Sequence, residues 1–341
     1  MVNESGLIQN TPKGLYCPLA EVYIDPQKPV AKALITHGHS DHAVLGHRYY
    51  LCTKLTEAVI KLRLGSFIQT QVVEFGEKIT INNVQFSFHP AGHIPGSAQI
   101  RIEHKGEVWV ITGDYKTEPD KVSGNYELLK CNTFITETTF ALPIYQWQPQ
   151  AHTMTEILNW YTYNLSFGKS TIILAYALGK SQRIIQNIPD EIPVYTHTTV
   201  EDTNKALREG GLKLRKTIQI NSRVSKKDIQ RGITLAPSSI INTPLIKALE
   251  SPVFGYASGW MALNRFRKQQ IATAGFVLSD HVDWNELNQV VGDCGAENVW
   301  LMHGYTKEFK QHLMSKGKNA IDIGSHFQLK TGEVQLPEEE D

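Results

Sequence analysis

The sequence predicts a mixed α/β protein in which one domain is inserted into another, and three features of the chain predict it. Up to about Pro143 the chain reads as short β-runs separated by turns, and after Pro149 helices and strands alternate. Residue types suited to metal binding stand at the ends of β-runs both before residue 140 and after residue 280. If these two groups serve one site, the chain must leave its first domain and return to complete it. This places the first domain at residues 1–143 and 271–341 and the inserted one at 144–270, with the site expected in the cleft between them.

In the first part the strand-like runs are Val22–Ile24, Ala33–Ile35, Val72–Phe75, Lys78–Ile81, Val84–Phe88, Ala98–Ile102, Val108–Ile111 and Thr133–Thr136. Asn82-Asn83 and Lys105-Gly106 sit where two-residue hairpin turns belong. Only Thr56–Leu64 reads as helical there. Beyond Pro149, a helix around His152–Tyr163, a strand at Thr171–Tyr176, a helix from Lys180 to Asn187 and strands at Val194–Thr196, Ile233–Leu235 and Val253–Tyr256 give the alternation expected of a parallel sheet. Gly275–Leu278 followed by a helix over Asp283–Val291, and Asn298–Met302 followed by a helix over Thr306–Met314, are read as strand-helix units that finish the first domain.

The densest chemistry lies in Thr36-His37-Gly38-His39-Ser40-Asp41-His42, directly after the apolar Ala33-Leu34-Ile35. Neutral imidazoles and a carboxylate are ligands for zinc or a similar metal at neutral pH. His37 and His39 lie two apart, so on extended backbone both rings leave the same face. Asp41 and His42 follow the turn and can address a second ion. So many ligands in so short a run would strain around one metal, which points to two. A loop rich in His by chance is the competing reading, but exposed loops are built mostly of Ser, Asn, Gly and Lys. His93 in Ala91-Gly92-His93, Asp114 in Gly113-Asp114 and His303 before Gly304 supply further ligand types, each beside a glycine at the end of a β-rich run.

The order His-x-His-x-Asp-His, then Gly-His, then Gly-Asp resembles the metallo-β-lactamase superfamily, and Asp25 in Tyr23-Ile24-Asp25-Pro26 matches the acidic residue that opens that pattern. Thr136–Phe140 resembles motif A of the β-CASP nucleases, Ser279–Asp283 their motif B and His303-Gly304 their motif C. The match runs from about Gly14 to about Lys316. Tyr115-Lys116, Phe140–Tyr145, Ala257–Met261 and the Ser-Asp-His-x-Asp-Trp form of motif B are similar to the bacterial DNA-ligase-associated exonucleases.

This resemblance implies a metallo-β-lactamase αββα sandwich with an inserted β-CASP α/β cap. It implies two divalent metal ions, zinc first and manganese second, with His37, His39, His93 and Asp114 holding one and Asp41, His42, His303 and Asp114 the other. Asp41, Glu137 and His281 become the catalytic residues, His281 as a general acid held by Glu137. The implied activity is phosphodiester hydrolysis by a DNA exonuclease of DNA repair, acting on single-stranded DNA and associating with a DNA ligase and a helicase. The alternative is an RNA-processing endo- or exonuclease, because His at motif C is typical of the RNA processors of this group. A small-molecule metallohydrolase would have neither the cap nor the Glu137 and His281 pair, and an inactive scaffold would have lost ligands.

Composition bounds the remainder. At 341 residues with 41% hydrophobic composition the chain can bury the cores of two domains. There is no run of apolar residues long enough for a membrane span and no export signal at Met1–Gln9, so a cytoplasmic protein is expected. Its four cysteines, Cys17, Cys52, Cys131 and Cys294, are widely spaced and read as free thiols. Lys plus Arg equals Asp plus Glu at 34 each, so any hold on a polyanion must be local. The basic segment Lys205–Arg231 is the densest candidate, with Arg265, Arg267 and Lys268 a second; a solvated charged face is the plain alternative for both. Lys116, Ser97, Lys180 at a helix start and Ser258 are the candidate substrate contacts.

Overall fold

The computed structural model describes residues 6–247, 249–263 and 273–324. Arg265, Arg267, Lys268 and the acidic end Glu338–Asp341 lie outside the described residues. The chain divides into two compact units, residues up to Gln146 together with those from His281 onward, and Trp147–Asp280.

Unit 1 opens with a six-stranded sheet of β1 (Gln9–Thr11), β2 (Gly14–Cys17), β3 (Val22–Ile24), β4 (Lys32–Leu34), β5 (Tyr49–Cys52) and β6 (Thr70–Val72) in that spatial order. The first three strands are antiparallel and the last four run parallel, with α1 (Lys54–Leu64) bridging β5 and β6. A second sheet starts as an antiparallel meander of β7 (Lys78–Ile81), β8 (Val84–Pro90), β9 (Ala98–His104) and β10 (Glu107–Ile111), then adds β11 (Thr133–Thr138) parallel to β10. Both anticipated hairpin turns are left-handed: Asn82 and Asn83 have φ 47° and 64°, and Lys105 and Gly106 have φ 50° and 84°. That backbone matches the right-handed twist of the flanking strands.

Unit 2 runs through α2 (Gln150–Ser166), β12 (Ser170–Leu174), α3 (Lys180–Asn187), β13 (Val194–Thr196), α4 (Thr198–Glu209), β14 (Ile218–Gln219), α5 (Lys226–Gln230), β15 (Ile233–Ala236), α6 (Pro244–Lys247), β16 (Pro252–Ala257) and β17 (Ala274–Phe276). Its strands form one parallel sheet ordered β14-β13-β15-β12-β16-β17. The Gly275–Leu278 run therefore does not open the return to the first domain. Residues Ala274–Phe276 pair instead with Gly255–Ala257 of β16, so the second unit ends at Asp280, ten residues beyond the expected Gln270.

The chain returns to unit 1 with α7 (Trp284–Asp293), β18 (Asn298–Gly304), α8 (Thr306–Ser315) and β19 (Asn319–Gly324), which complete the second sheet in the order β19-β18-β11-β10-β9-β8-β7. Alternation along the strands sorts the side chains into layers. Leu34, Trp109, Ile111, Ile135 and Trp300 point between the two sheets and share one core with Phe86, Phe88, Ile100 and Ile102. Their strand neighbours Val110, Phe134, Val299 and Leu301 face outward against Leu287 and Val290 of α7 and Phe309 and Leu313 of α8. Ala33, Tyr50 and Cys52 pack outward with Ile60 of α1. Unit 1 is thus layered helix, sheet, sheet, helix. Among the described residues no helix is long and apolar enough to cross a membrane.

The pairing of β11 with β18 carries a defect. Glu137 stands opposite Met302, but Thr138 stands opposite Gly304, so His303 bulges out of register. His303 takes φ 57° and Gly304 φ 77°, a conformation that costs a non-glycine residue energy and re-aims its side chain. A Cβ on residue 304 would lie 2.4 Å from the Thr138 carbonyl oxygen and 2.5 Å from the Thr139 Cα. Gly304→Ala is therefore expected to destabilise the protein by more than the roughly 1–2 kcal/mol of left-handed strain alone. Gly317→Ala, at φ 79° with nothing within 4 Å of the added Cβ, serves as the control that carries only that strain. Equal urea midpoints for the two variants would refute the role assigned to the close approach.

Candidate metal centre

Thr36 to His42 leave the end of β4 and turn back on themselves, with the His42 and Ala43 amides donating to the His39 carbonyl at 3.2 and 3.0 Å. His37 Nε2 and His93 Nε2 come within 3.2 and 3.1 Å of His39 Nδ1. Asp114 Oδ2 lies 3.6 Å from His37 Nε2 and 3.8 Å from His93 Nε2. Ligand atoms about 2.0–2.1 Å from a tetrahedral ion stand about 3.3–3.4 Å apart, so these separations suit a single ion. His37, His39, His93 and Asp114 thus form a group that could hold a metal ion.

A second group adjoins the first. His37, Asp41 and His42 also offer ligand atoms within 4.8 Å of one another. Among the described residues, buried His42 Nε2 has no hydrogen-bond partner; it lies 3.6 Å from Asp41 Oδ2 and 3.6 Å from Asp114 Oδ2. One oxygen of Asp114 therefore faces both groups. The His303 ring centroid stands 5.4 Å from that of His42. Asp41 is the most exposed member, at 58% of its side chain.

The rings are held from behind. The Asp25 carboxylate accepts from the Thr36 amide at 2.8 Å, from the Thr36 hydroxyl, and from His42 Nδ1 at 2.8 Å. Thr36 Oγ1 in turn lies 3.1 Å from His37 Nδ1. Such a partner fixes the tautomer and leaves each Nε2 lone pair directed inward. Gly92 lets the His93 loop approach: it takes φ 73°, and a Cβ there would lie 2.2 Å from the Lys116 carbonyl oxygen. At the end of β11, buried Glu137 accepts from the Tyr115 amide at 2.8 Å and holds His281 Nδ1 at 2.8 Å. Asp114, Glu137 and His281 fall within one 4.8 Å cluster.

Burial and neighbouring charges shift the titration of these groups. Burial pushes the Asp114 carboxyl up to about 7, with the Glu137 charge adding to it against His42. Burial holds His37 well below the ordinary imidazole value, and burial together with His42 brings His303 down to about 4. Burial also opposes charge on His42, but the carboxylates of Asp41, Asp114 and Asp25 outweigh it and raise its pKa well above the ordinary value. Neutral imidazoles, a carboxylate short of countercharge and one proton held among three acids form a donor set that a divalent cation would satisfy.

The expected substrate contacts are differently employed. Ser97 is buried, and its Oγ accepts from the His93 and Ile94 amides at 3.1 and 3.2 Å, so it shapes the His93 loop. Lys116 is buried with its ammonium 3.5 Å from the carboxylates of Glu118 and Glu286. In unit 2, Lys180 is buried at the start of α3 and donates to Asp280 at 2.8 Å, and Ser258 accepts from the Trp260 amide at 3.3 Å. Each of the four has at least one partner within the protein. In the basic segment, Arg215 is spent on the Ile188, Pro189 and Ile192 carbonyls and Arg208 on Glu201, whereas Lys213, Lys216, Arg223, Lys226, Lys227 and Arg231 are exposed. The supports Thr36 and Ser97 escaped sequence reasoning as such, since a hydroxyl carries no signal until its neighbours are placed.

No family model matches the chain. It is 27% identical over 328 residues, 94% of its length, to a protein of Opitutus terrae named probable DNA ligase, of which the match spans 31%. It is 26% identical over 216 residues, 50% of its length, to cleavage and polyadenylation specificity factor subunit 3-I of Arabidopsis thaliana, of which 30% is covered. It is 27% identical over 124 residues, 36% of its length, to endoribonuclease YSH1 of Saccharomyces cerevisiae, of which 16% is covered. The chain spans about a third or less of these relatives. A crystal structure of a protein of unknown function from Enterococcus faecalis V583 superposes with a TM-score of 0.53 at 12% identity, over 81% of this chain and 76% of that one, a likeness of fold alone. The order and arrangement of its ligand-type residues and these relatives agree with the resemblance to the β-CASP group of the metallo-β-lactamase superfamily.

Proposed function

We propose that the protein is a metal-dependent phosphodiesterase that degrades single-stranded DNA from an end, with unit 1 as the metallo-β-lactamase sandwich and unit 2 as the β-CASP cap. The observation that carries this reading is the Glu137-held His281 beside the histidine and aspartate cluster, a pair that a small-molecule metallohydrolase has no use for. Similarity over 94% of the chain to part of a protein named probable DNA ligase supports DNA as the polymer and a ligase as a functional partner. The shorter similarity to a protein named endoribonuclease, together with His303, supports RNA as the second reading.

In this mechanism His37, His39, His93 and Asp114 would hold one ion, and Asp41, His42 and His303 would hold the other, with Asp114 available to both. When bound, a pair of divalent ions, zinc in the first instance, lowers the pKa of water and offsets charge on the scissile phosphate. Asp25 and Thr36 keep His42 and His37 in the tautomer that binds. His281 donates a proton to the departing oxygen from Nε2, because Glu137 occupies Nδ1 and stabilises the imidazolium that precedes the transfer.

Elemental analysis of protein purified without chelators is expected to find two transition-metal ions per chain. Asp114→Ala should lose metal and all hydrolysis, and Asp25→Ala should weaken metal affinity about 10- to 100-fold in competition with a chromogenic chelator. An Asp114→Ala protein with full metal content and turnover would sink the shared-ligand assignment.

His281→Ala is expected to retain its metal yet lose about 10²–10⁴ in rate on oligonucleotides. The loss should shrink on a nitrophenyl phosphodiester, whose leaving group needs no proton. An equal loss on both substrates would move His281 from proton transfer to binding.

For the polymer itself, metal-loaded protein incubated with 5′- and 3′-labelled single strands of DNA and RNA should shorten DNA stepwise from one end. Internal cleavage of RNA with DNA left intact would replace the leading reading by the second.

A further inference from the structure

At the carboxyl end of α2 the side chains of Tyr163, Leu165 and Phe167 are 56%, 38% and 62% exposed, while Ile157, Tyr161 and Asn164 bury the other face of the helix. The Tyr163 and Phe167 rings lie 4.8 Å apart, and the Lys169 ammonium stands 5.8 and 5.7 Å from their centroids. The segment is braced. The Phe167 and Lys169 amides donate to the Asn164 carbonyl at 3.1 and 2.9 Å, and Gly168 closes the turn with φ 63°. The Gly168 carbonyl accepts from the Gln230 side-chain amide, and the Tyr161 hydroxyl donates to the Arg231 carbonyl at 2.7 Å.

Those last two bonds join this segment to the end of α5, which Arg231 follows; Arg231 is exposed, as are Lys226 and Lys227 at the start of that helix. Asp228, the acid of that helix, accepts from the Ser225 hydroxyl at its own N-cap. The two solvent-facing rings thus have the Lys169 ammonium beside them, and the turn that carries them is bonded to the chain at Gln230, next to exposed Arg231. Large exposed rings gathered in one patch mark an interaction site. Aromatic faces flanked by cations match a single-stranded polynucleotide, whose bases stack on rings of any sequence context and whose phosphates need neutralising. An acidic protein would use the cations but would have no particular need of two adjacent ring faces.

We propose that this face of unit 2 is a stacking platform for a single-stranded polynucleotide, with Tyr163 and Phe167 taking bases and Lys169, Lys227 and Arg231 taking phosphates. The platform rests on the reading of the protein as a nuclease. It supplies a hold on the strand that the net charge of zero does not.

The test uses the full-length metal-loaded protein, with binding measured in the His281→Ala background and hydrolysis in the otherwise native chain. Tyr163→Ala with Phe167→Ala should weaken binding of a fluorescent single strand about tenfold or more and abolish quenching of a 2-aminopurine base in it. Its salt slope should hold, because no phosphate contact is lost. Lys169→Glu should reduce that slope by at least about 0.7 with smaller loss of quenching. Tyr163→Phe should bind as the native chain does, and all variants should hydrolyse a nitrophenyl phosphodiester at the native rate. If labelled strands are degraded while the double variant keeps native affinity and quenching, the platform is wrong and the nuclease reading stands. If the native chain neither binds nor cleaves any polynucleotide although metal is present, the nuclease reading fails and the platform with it. A native dimer that the double variant converts to a monomer in sedimentation would make this face a contact between copies and overturn the proposal.

Discussion

Parallel pairing of β10, β11 and β18 is the constraint on which the rest of unit 1 depends. Adjacent parallel strands end on the same edge of a sheet, so the residues that follow them are delivered together whatever their distance along the chain. Asp114 follows β10, Glu137 lies near the end of β11 and His303 near the end of β18. Residues more than 160 positions apart in sequence thereby share one edge, as the Thr138 hydroxyl bond to the His303 carbonyl shows. The first sheet contributes from across the core: the Ala98 amide donates to the Thr36 carbonyl at 2.8 Å, tying the turn after β4 to the start of β9. The cost of gathering these groups is visible as left-handed backbone at His303 and Gly304 and as buried charge at Asp114.

Burial at that edge decides the chemistry available. In water, histidines and carboxylates side by side would titrate almost independently; buried, each alters its neighbours. The Asp114 carboxyl moves up to about 7 while His303 moves down to about 4. A divalent cation reverses the first effect and exploits the second, since it favours ionised carboxylate and neutral imidazole together. The same economy explains why Asp25, which does not face the cluster directly, belongs to it: its two oxygens fix Thr36 and His42, and through them the inward lone pairs.

Unit 2 illustrates how charge read along a chain differs from charge presented in space. Arg215 and Arg208 count toward the basic segment in the sequence but spend their guanidinium groups within the unit, on the Ile188 to Ile192 carbonyls and on Glu201. Lys180 has the same fate against Asp280. Conversely, Lys169 lies outside the segment yet meets it in the fold through Gly168 and Gln230. A cation bound to internal carbonyls cannot release a counterion from a strand, and only the exposed ones contribute to binding.

Local pattern carried much of the architecture. Asn82-Asn83 and Lys105-Gly106 specify left-handed turns by themselves, and alternation in β10, β11 and β18 separates the inner from the outer core without help from the rest of the chain. The His37 to His42 run was legible as a candidate site because its ligand-type residues are close in sequence, and His93, Asp114 and His303 as candidates because each stands beside a glycine at a strand end. What the sequence left open was decided by contacts between distant residues. The three residues Ala274–Phe276 are compatible with either sheet, and only the hydrogen bonds offered by β16 assign them to unit 2. The two-residue strand β14 is likewise too brief to announce itself. Whether Ser97, Lys116, Lys180 and Ser258 face a substrate or the protein depends on which amide or carboxylate lies within about 3 Å of each, and hydrogen-bond partners at such separations exist only once the chain has folded.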